Sequence, residues 1–108
     1  MADATDAYQS YRRGHELLAS RDFHQATVAF ERAKLLEPDK ASIREALGRA
    51  YLSSRAYRKA AREFAKAVEL APTDGYAHYG LARSLDRLGE RRMAARHYKL
   101  ARVFGAPA

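Results

Sequence analysis

The chain contains no cysteine and no tryptophan, only 3 prolines and 6 glycines, and no long apolar run. The lack of cysteine excludes disulfides, thiol catalysis and thiolate metal clusters together, and suits a reducing compartment. Scarce proline and glycine leave little room for long loops or low-complexity linkers. No stretch reaches the ~20 consecutive apolar residues that a bilayer crossing needs. The segment Met1 to Asp6 carries Asp3 and Asp6 and lacks the basic and apolar regions of a secretory leader, so the expected location is the cytoplasm. Phosphate-cradling glycine loops and nucleophile-elbow serines are also missing. His15, His24, His78 and His97 never fall at a metal-binding helical spacing along the chain. These absences point away from an enzyme and from a bound metal or cofactor.

What is present is repetition. Pro38 and Pro72 stand 34 residues apart, and the same offset joins Gly14 with Gly48 and Ala82. It also joins Ala26 with Ala60 and Ala94, Phe30 with Phe64 and Tyr98, and Ala33 with Ala67 and Ala101. Leu17, Tyr51 and Leu85 form one more column, as do Leu36, Leu70 and Phe104. A fixed period of this length marks a repeat architecture whose units each bury a face against the next.

Within a unit the apolar spacing is helical. Leu47, Gly48, Tyr51 and Leu52 form one stripe, and Tyr57, Ala60, Ala61, Phe64, Ala67 and Val68 a second after the break at Ser53 to Arg55. The pattern predicts helices over 7–20, 22–36, 41–53, 56–70, 75–88 and 90–104, preceded by an acidic tail over 1–6. Asp6, Asp22, Asp39 and Asp74 are expected N-caps, and Gly89 and Gly105 expected C-terminal stops. Small residues at Gly14, Gly48 and Ala82, facing Ala26, Ala60 and Ala94, allow the paired helices a close approach. With 47% apolar residues the chain can fill the resulting core.

These residues resemble the tetratricopeptide repeat. Leu47, Gly48, Tyr51, Ala60, Phe64, Ala67 and Pro72 follow its pattern in the middle unit. Gly14, Leu17, Ala26, Phe30, Ala33 and Pro38 follow it in the first, and Leu81, Ala82, Leu85, Ala94, Tyr98 and Ala101 in the third. The resemblance covers 7–106 and implies one all-α domain: an α-solenoid of three antiparallel helix-turn-helix repeats (7–40, 41–74 and 75–108) wound as a right-handed superhelix. Departures stand at Ser10, Arg44 and His78, where the family favours a large apolar residue, and at Arg13; they are expected to weaken individual contacts.

The resemblance further implies a concave groove lined by the first helix of each unit. Its candidate binding residues are Tyr8, Tyr11, His15, Arg49, Tyr76, Tyr79, Arg83 and Arg87. Tyrosine supplies a broad apolar face with a hydroxyl, and arginine grips carboxylates in bidentate fashion. The implied partner is a protein or peptide with acidic and apolar side chains, although ordinary packing would equally account for Tyr11 and Tyr79. Relatives that clamp the C-terminal carboxylate of heat-shock chaperones use Lys, Asn and Arg where this chain has Tyr11, His15, Ala46, Tyr76 and Gly80, so that clamp is absent.

Two alternatives remain. Lys and Arg number 20 against 13 Asp and Glu, and the excess grows towards the C-terminus. Arg58 and Arg62 on one second helix, with Arg92 and Arg96 on the next, form a basic ridge suited to nucleic acid or an anionic membrane surface. The plain reading is a solvated face partly neutralised by Glu63 and Glu90. Separately, Met93, His97, Leu100 and Phe104 are expected as an exposed strip on the last helix, open to self-association.

Overall fold

A computed structural model of the chain describes residues 4–106. Six helices follow one another: α1 Ala4–Ala19, α2 Phe23–Leu36, α3 Ala41–Ser53, α4 Tyr57–Leu70, α5 Gly75–Arg87 and α6 Arg91–Val103. Each pairs with its neighbours in the chain, and α1 also touches α3 as α3 touches α5, so three hairpins stack along one axis. The result is an all-α solenoid of 44 × 24 × 20 Å.

The hairpin turns repeat as the sequence does. Arg21, Arg55 and Gly89, one period apart, all take positive φ, at 64°, 65° and 84°. In each case the next amide reaches back to the helix: Asp22 N to Leu17 O at 2.8 Å, Ala56 N to Tyr51 O at 2.8 Å and Glu90 N to Leu85 O at 2.9 Å. This closure satisfies carbonyls that the helix end leaves unpaired. Gly89 and Gly105 therefore stop helices as expected, whereas two arginines adopt a conformation that disfavours a side chain.

The expected aspartate caps fare differently. Asp74 caps with its side chain, accepting from the Tyr76 and Ala77 amides at 3.0 and 3.4 Å. Asp22 occupies a cap position without a side-chain bond, and Lys40 rather than Asp39 precedes α3. Asp6 lies inside the first turn of α1, where its charge favours the helix N-terminus. The predicted acidic tail is thus partly helix; residues 1–3 lie outside the described residues.

Two apolar clusters form the core. Phe30 packs with Leu17, Ala26, Ala46, Leu47 and Ala50, joining the first hairpin to α3. Phe64 packs with Ala60, Leu81, Leu85 and Ala94, joining the second hairpin to the third. Both rings are fully buried. Gly14 and Gly48 lie against these rings within their own hairpins, so that an added Cβ would overlap Phe30 in the first case and reach 2.9 Å from Phe64 in the second. Gly80 does the same from the following hairpin, where a Cβ would overlap Phe64. Close approach, rather than backbone freedom, is what these glycines supply.

Two of the departures from the family pattern, Arg44 and His78, install polar links. Arg44 Nε donates to Pro38 O at 2.9 Å, and one period later His78 Nε2 meets Pro72 O at 2.8 Å. Arg44 also pairs with Glu63 at 3.0 Å, and Glu63 accepts from Lys34 of the first hairpin at 3.1 Å. Lys34 reaches Glu31 at 2.7 Å, and Tyr51 donates to Glu31 at 2.6 Å. Burial opposes the charge on Glu31, yet the bonds from Lys34 and Tyr51 hold its carboxyl below the usual range. One period on from Arg44 and Glu63, His78 and His97 face each other with Nδ1 atoms 3.0 Å apart and rings stacked. Glu63 therefore turns inward and does not neutralise the basic ridge.

Candidate functional site

The first helices carry the groove. The hollow between the second and third hairpins, about 370 Å³, brings Arg49 and Leu52 of α3 together with Tyr76, Tyr79 and Arg83 of α5. Glu45 completes its wall, and Phe64 seen past Gly80 forms its floor. A large residue at position 80 would close that floor, since Gly80 already lies in contact with the ring. A smaller hollow of about 90 Å³ adjoins it, lined by Tyr11, His15, Ser42, Glu45, Ala46 and Arg49. Glu45 and Arg49 belong to both, so the two hollows run on from one another across all three hairpins.

Side-chain exposure separates anchors from packing. Tyr76 is 59% exposed and Tyr8 61% exposed, so neither is committed to the core. Tyr11 and His15 are half-buried; their rings meet edge-on at 4.5 Å, and both lean on Phe30, at 6.0 and 5.1 Å. Tyr79 meets Tyr98 edge-on at 5.8 Å. Packing is therefore part of the role of Tyr11 and Tyr79. Tyr8 lines neither hollow, and Arg87 is turned towards α4, with its guanidinium 5.7 Å from the Tyr57 ring centre.

The titratable groups of the groove are tuned by burial. His15 is held below its ordinary value by burial and by the Arg49 charge. Glu45 is pushed up to about 7, first by burial and then by a hydrogen bond and charge repulsion from Asp74, with Arg49 opposing. Because its folded-state value lies above the unfolded one, protonated Glu45 stabilises the fold at low pH, and that contribution is lost as pH rises from about 4.5 through about 7. Glu45→Gln is expected to flatten stability across this window and to raise the melting temperature at pH 8. Thermal melts of both proteins from pH 4 to pH 8 check this.

The four arginines of the expected basic ridge lie on the surface. Arg58 and Arg62 on α4 and Arg92 and Arg96 on α6 are all exposed. The expected apolar strip on α6 does not form. His97 is hydrogen-bonded to His78, Phe104 packs on the His78 ring at 5.6 Å, and Leu100 is half-buried, leaving Met93 and Val103 as the large exposed apolar residues of α6. His97 and Leu100 are covered because this side of α6 faces back into the array. Among the described residues, no group of three or more His, Cys, Asp or Glu side chains is arranged to hold a metal ion. No helix among them is long and apolar enough to cross a membrane.

Comparison with known proteins agrees with this geometry. A tetratricopeptide repeat profile matches residues 41–74, the whole middle hairpin. The middle hairpin is a tetratricopeptide repeat, and the whole array has the fold of tetratricopeptide repeat domains. Curated relatives of the repeat array include the inactive TPR repeat-containing thioredoxin TTL3 of Arabidopsis thaliana, 33% identical over 86 residues, and human superkiller complex protein 3, 33% identical over 89 residues. These alignments cover 80% and 82% of this chain but 12% and 6% of those proteins, so the likeness concerns the repeat array alone. The second TPR domain of Spaghetti (RPAP3), solved with the HSP90 peptide SRMEEVD, superimposes with a TM-score of 0.89 at 17% identity over 92% of both chains. A MamA structure (RS-1 ArsTM double mutant) has a TM-score of 0.86 at 26% identity, over 91% of this chain and 55% of that one.

The resemblance put Glu45 at a groove position without choosing it as a binding residue, and the sequence reading missed the floor made by Gly80 and Phe64. The signal for Gly80 was available, because it breaks a column that holds Arg12 and Ala46 in the other units.

Proposed function

We propose that this repeat array is a non-catalytic protein-binding adaptor whose concave groove takes a peptide segment with acidic and apolar side chains. The observation that carries the reading is the hollow over Phe64, an apolar floor and tyrosine walls set between Arg49 and Arg83. An apolar side chain of the ligand fills the hollow, and neighbouring carboxylates meet the two guanidiniums in charge-assisted bonds. The structural neighbour from Spaghetti holds a peptide of related chemistry, with two glutamates, an aspartate, Met and Val. In this chain the lysine and asparagine clamp of such proteins gives way to Tyr11, His15, Ala46, Tyr76 and Gly80, so recognition falls to the internal side chains of a segment instead of a free carboxyl terminus.

Selection from a random peptide library on the immobilised protein tests the proposal. Enriched peptides are expected to combine acidic residues with one large apolar residue, and Arg49→Glu with Arg83→Glu is expected to weaken them at least ~10-fold, the scale of losing a charge-assisted pair. Affinity unchanged in that variant but abolished by Arg62→Glu with Arg96→Glu, or by moderate salt, would move the working surface to the basic ridge.

A further inference from the structure

His78 and His97 occupy the positions that Arg44 and Glu63 hold one period earlier, and the exchange changes how the hairpin responds to protons. Arg44 and Glu63 carry opposite charges and meet at 3.0 Å. The two histidines are weak bases of one kind, and their Nδ1 atoms also lie 3.0 Å apart. His78 is 4% exposed, and Phe104, just past the end of α6, lies against its ring at 5.6 Å.

Hydrogen bonding limits how many protons the pair can hold. The Pro72 carbonyl can only accept, so His78 Nε2 carries a hydrogen and donates to it at 2.8 Å. In the neutral pair His78 Nδ1 is therefore the acceptor and His97 Nδ1 the donor. One further proton fits on His97 Nε2 and leaves that bond in place. A second would set two N–H groups against each other across 3.0 Å, with both rings charged. The unfolded chain has no such limit and takes a proton on each ring near the ordinary histidine value of about 6.5.

The charged neighbours do not relieve this limit. On α6, burial holds His97 below its ordinary value, and the charges of His78 and Arg96 add to the effect. Before α5, Asp74 turns its carboxylate to the Tyr76 and Ala77 amides, and Glu45 of α3 is bonded to Asp74. On α4, Lys66 and Glu69 pair with each other at 3.3 Å, and Val68 stands at the position from which Lys34 reaches Glu63 one hairpin earlier. We propose that the histidine pair is an acid-sensitive latch on the third hairpin, closed while at most one ring is charged and released when falling pH drives a proton onto both. The latch joins α5, α6 and the turn at Pro72, so its release loosens all three from one another. The folded pair binds fewer protons than the unfolded chain, so its contribution to stability is whole above about pH 6.5 and is lost as pH falls below that value. Neither ring lines the hollow over Phe64, and the latch does not depend on what the groove binds.

Hydrogen exchange of the full chain, read amide by amide from pH 7 to pH 5 and corrected for the intrinsic exchange rate, tests the latch. The comparison protein is His78→Phe with His97→Leu, which can take up neither proton. Taking the ratio of the two proteins at each pH cancels the opposing contribution of Glu45, which both retain. Protection of α5 and α6 in the double variant relative to the parent is expected to rise at least ~10-fold between pH 7 and pH 5, the effect of excluding about one proton. A ratio that stays constant overturns the latch. If the double variant does not fold, His97→Glu decides. Its carboxylate restores the opposite charges of Arg44 and Glu63, so protection of α5 and α6 relative to the parent is expected to grow as pH falls. Equal ratios at pH 7 and pH 5 in that variant overturn the latch as well.

Discussion

Phe64→Ala is expected to cost ~3–5 kcal/mol of folding free energy, the range for emptying an aromatic site in a packed core. The ring is 1% exposed and serves two jobs at once, packing within its own hairpin against Gly48 and across the joint against Gly80, Leu81 and Leu85. A helical array is held by interfaces between neighbouring units, so losing one of two such interfaces removes support from the third hairpin as well as from the second. In a domain of this size the loss corresponds to a fall in melting temperature of more than ~10 °C. Leu35→Ala is the control, because Leu35 is 81% exposed and its truncation is expected to stay within ~0.5 kcal/mol. Circular dichroism melts of the three proteins at equal concentration check both expectations. A Phe64→Ala melt within a few degrees of the parent would contradict the inter-hairpin role of the ring.

The second large effect belongs to Glu63. Its side chain is 11% exposed and lies between Lys34, 23% exposed, and Arg44, 16% exposed. Glu63→Gln removes the shared counter-charge, leaving Arg44 to face a neutral amide and Lys34 with Glu31 alone of its two carboxylates. Breaking one member of a buried ion cluster typically costs ~3–5 kcal/mol, and the partial exposure here sets the expected loss near ~3 kcal/mol. The cost is one of stranded charge rather than of the attraction itself. Replacing Lys34, Arg44 and Glu63 together by Met is therefore expected to recover most of the stability that Glu63→Gln loses. Urea unfolding of the single and triple variants separates the two explanations. A triple variant no more stable than Glu63→Gln would show that the ion cluster is itself stabilising.

Much of the fold was legible because the period of 34 residues constrains every unit at once. Gly14 and Gly48 were readable as points of close approach, but the sequence set them opposite Ala26 and Ala60, whereas the rings of Phe30 and Phe64 lie against them. Asp74 was legible as a cap, whereas Asp22 caps α2 without a side-chain bond, because the turn there is closed by its own amide on Leu17 around Arg21. The meaning of Arg44 and His78 was not legible. Read alone, each is a polar residue where an apolar one belongs. Their partners Glu63 and His97 repeat the same offset, yet pairing the two columns requires knowing which side of α4 and α6 faces inward. The same ambiguity misplaced His97, Leu100 and Phe104 on the surface of α6. In the groove, Tyr76, Arg49 and Arg83 followed from the resemblance, whereas Glu45 gained its character from burial and then from Asp74, a neighbour brought near by folding alone.

The groove is tested most directly by nuclear magnetic resonance, with the 15N-labelled chain titrated with a library-selected peptide. Amide shifts are expected to concentrate at Glu45, Arg49, Tyr76, Tyr79, Gly80 and Arg83, the residues around the hollow over Phe64. Shifts confined to α4 and the outer side of α6, around Arg62 and Arg96, with Gly80 and Tyr76 unmoved, would contradict the concave groove as the binding surface.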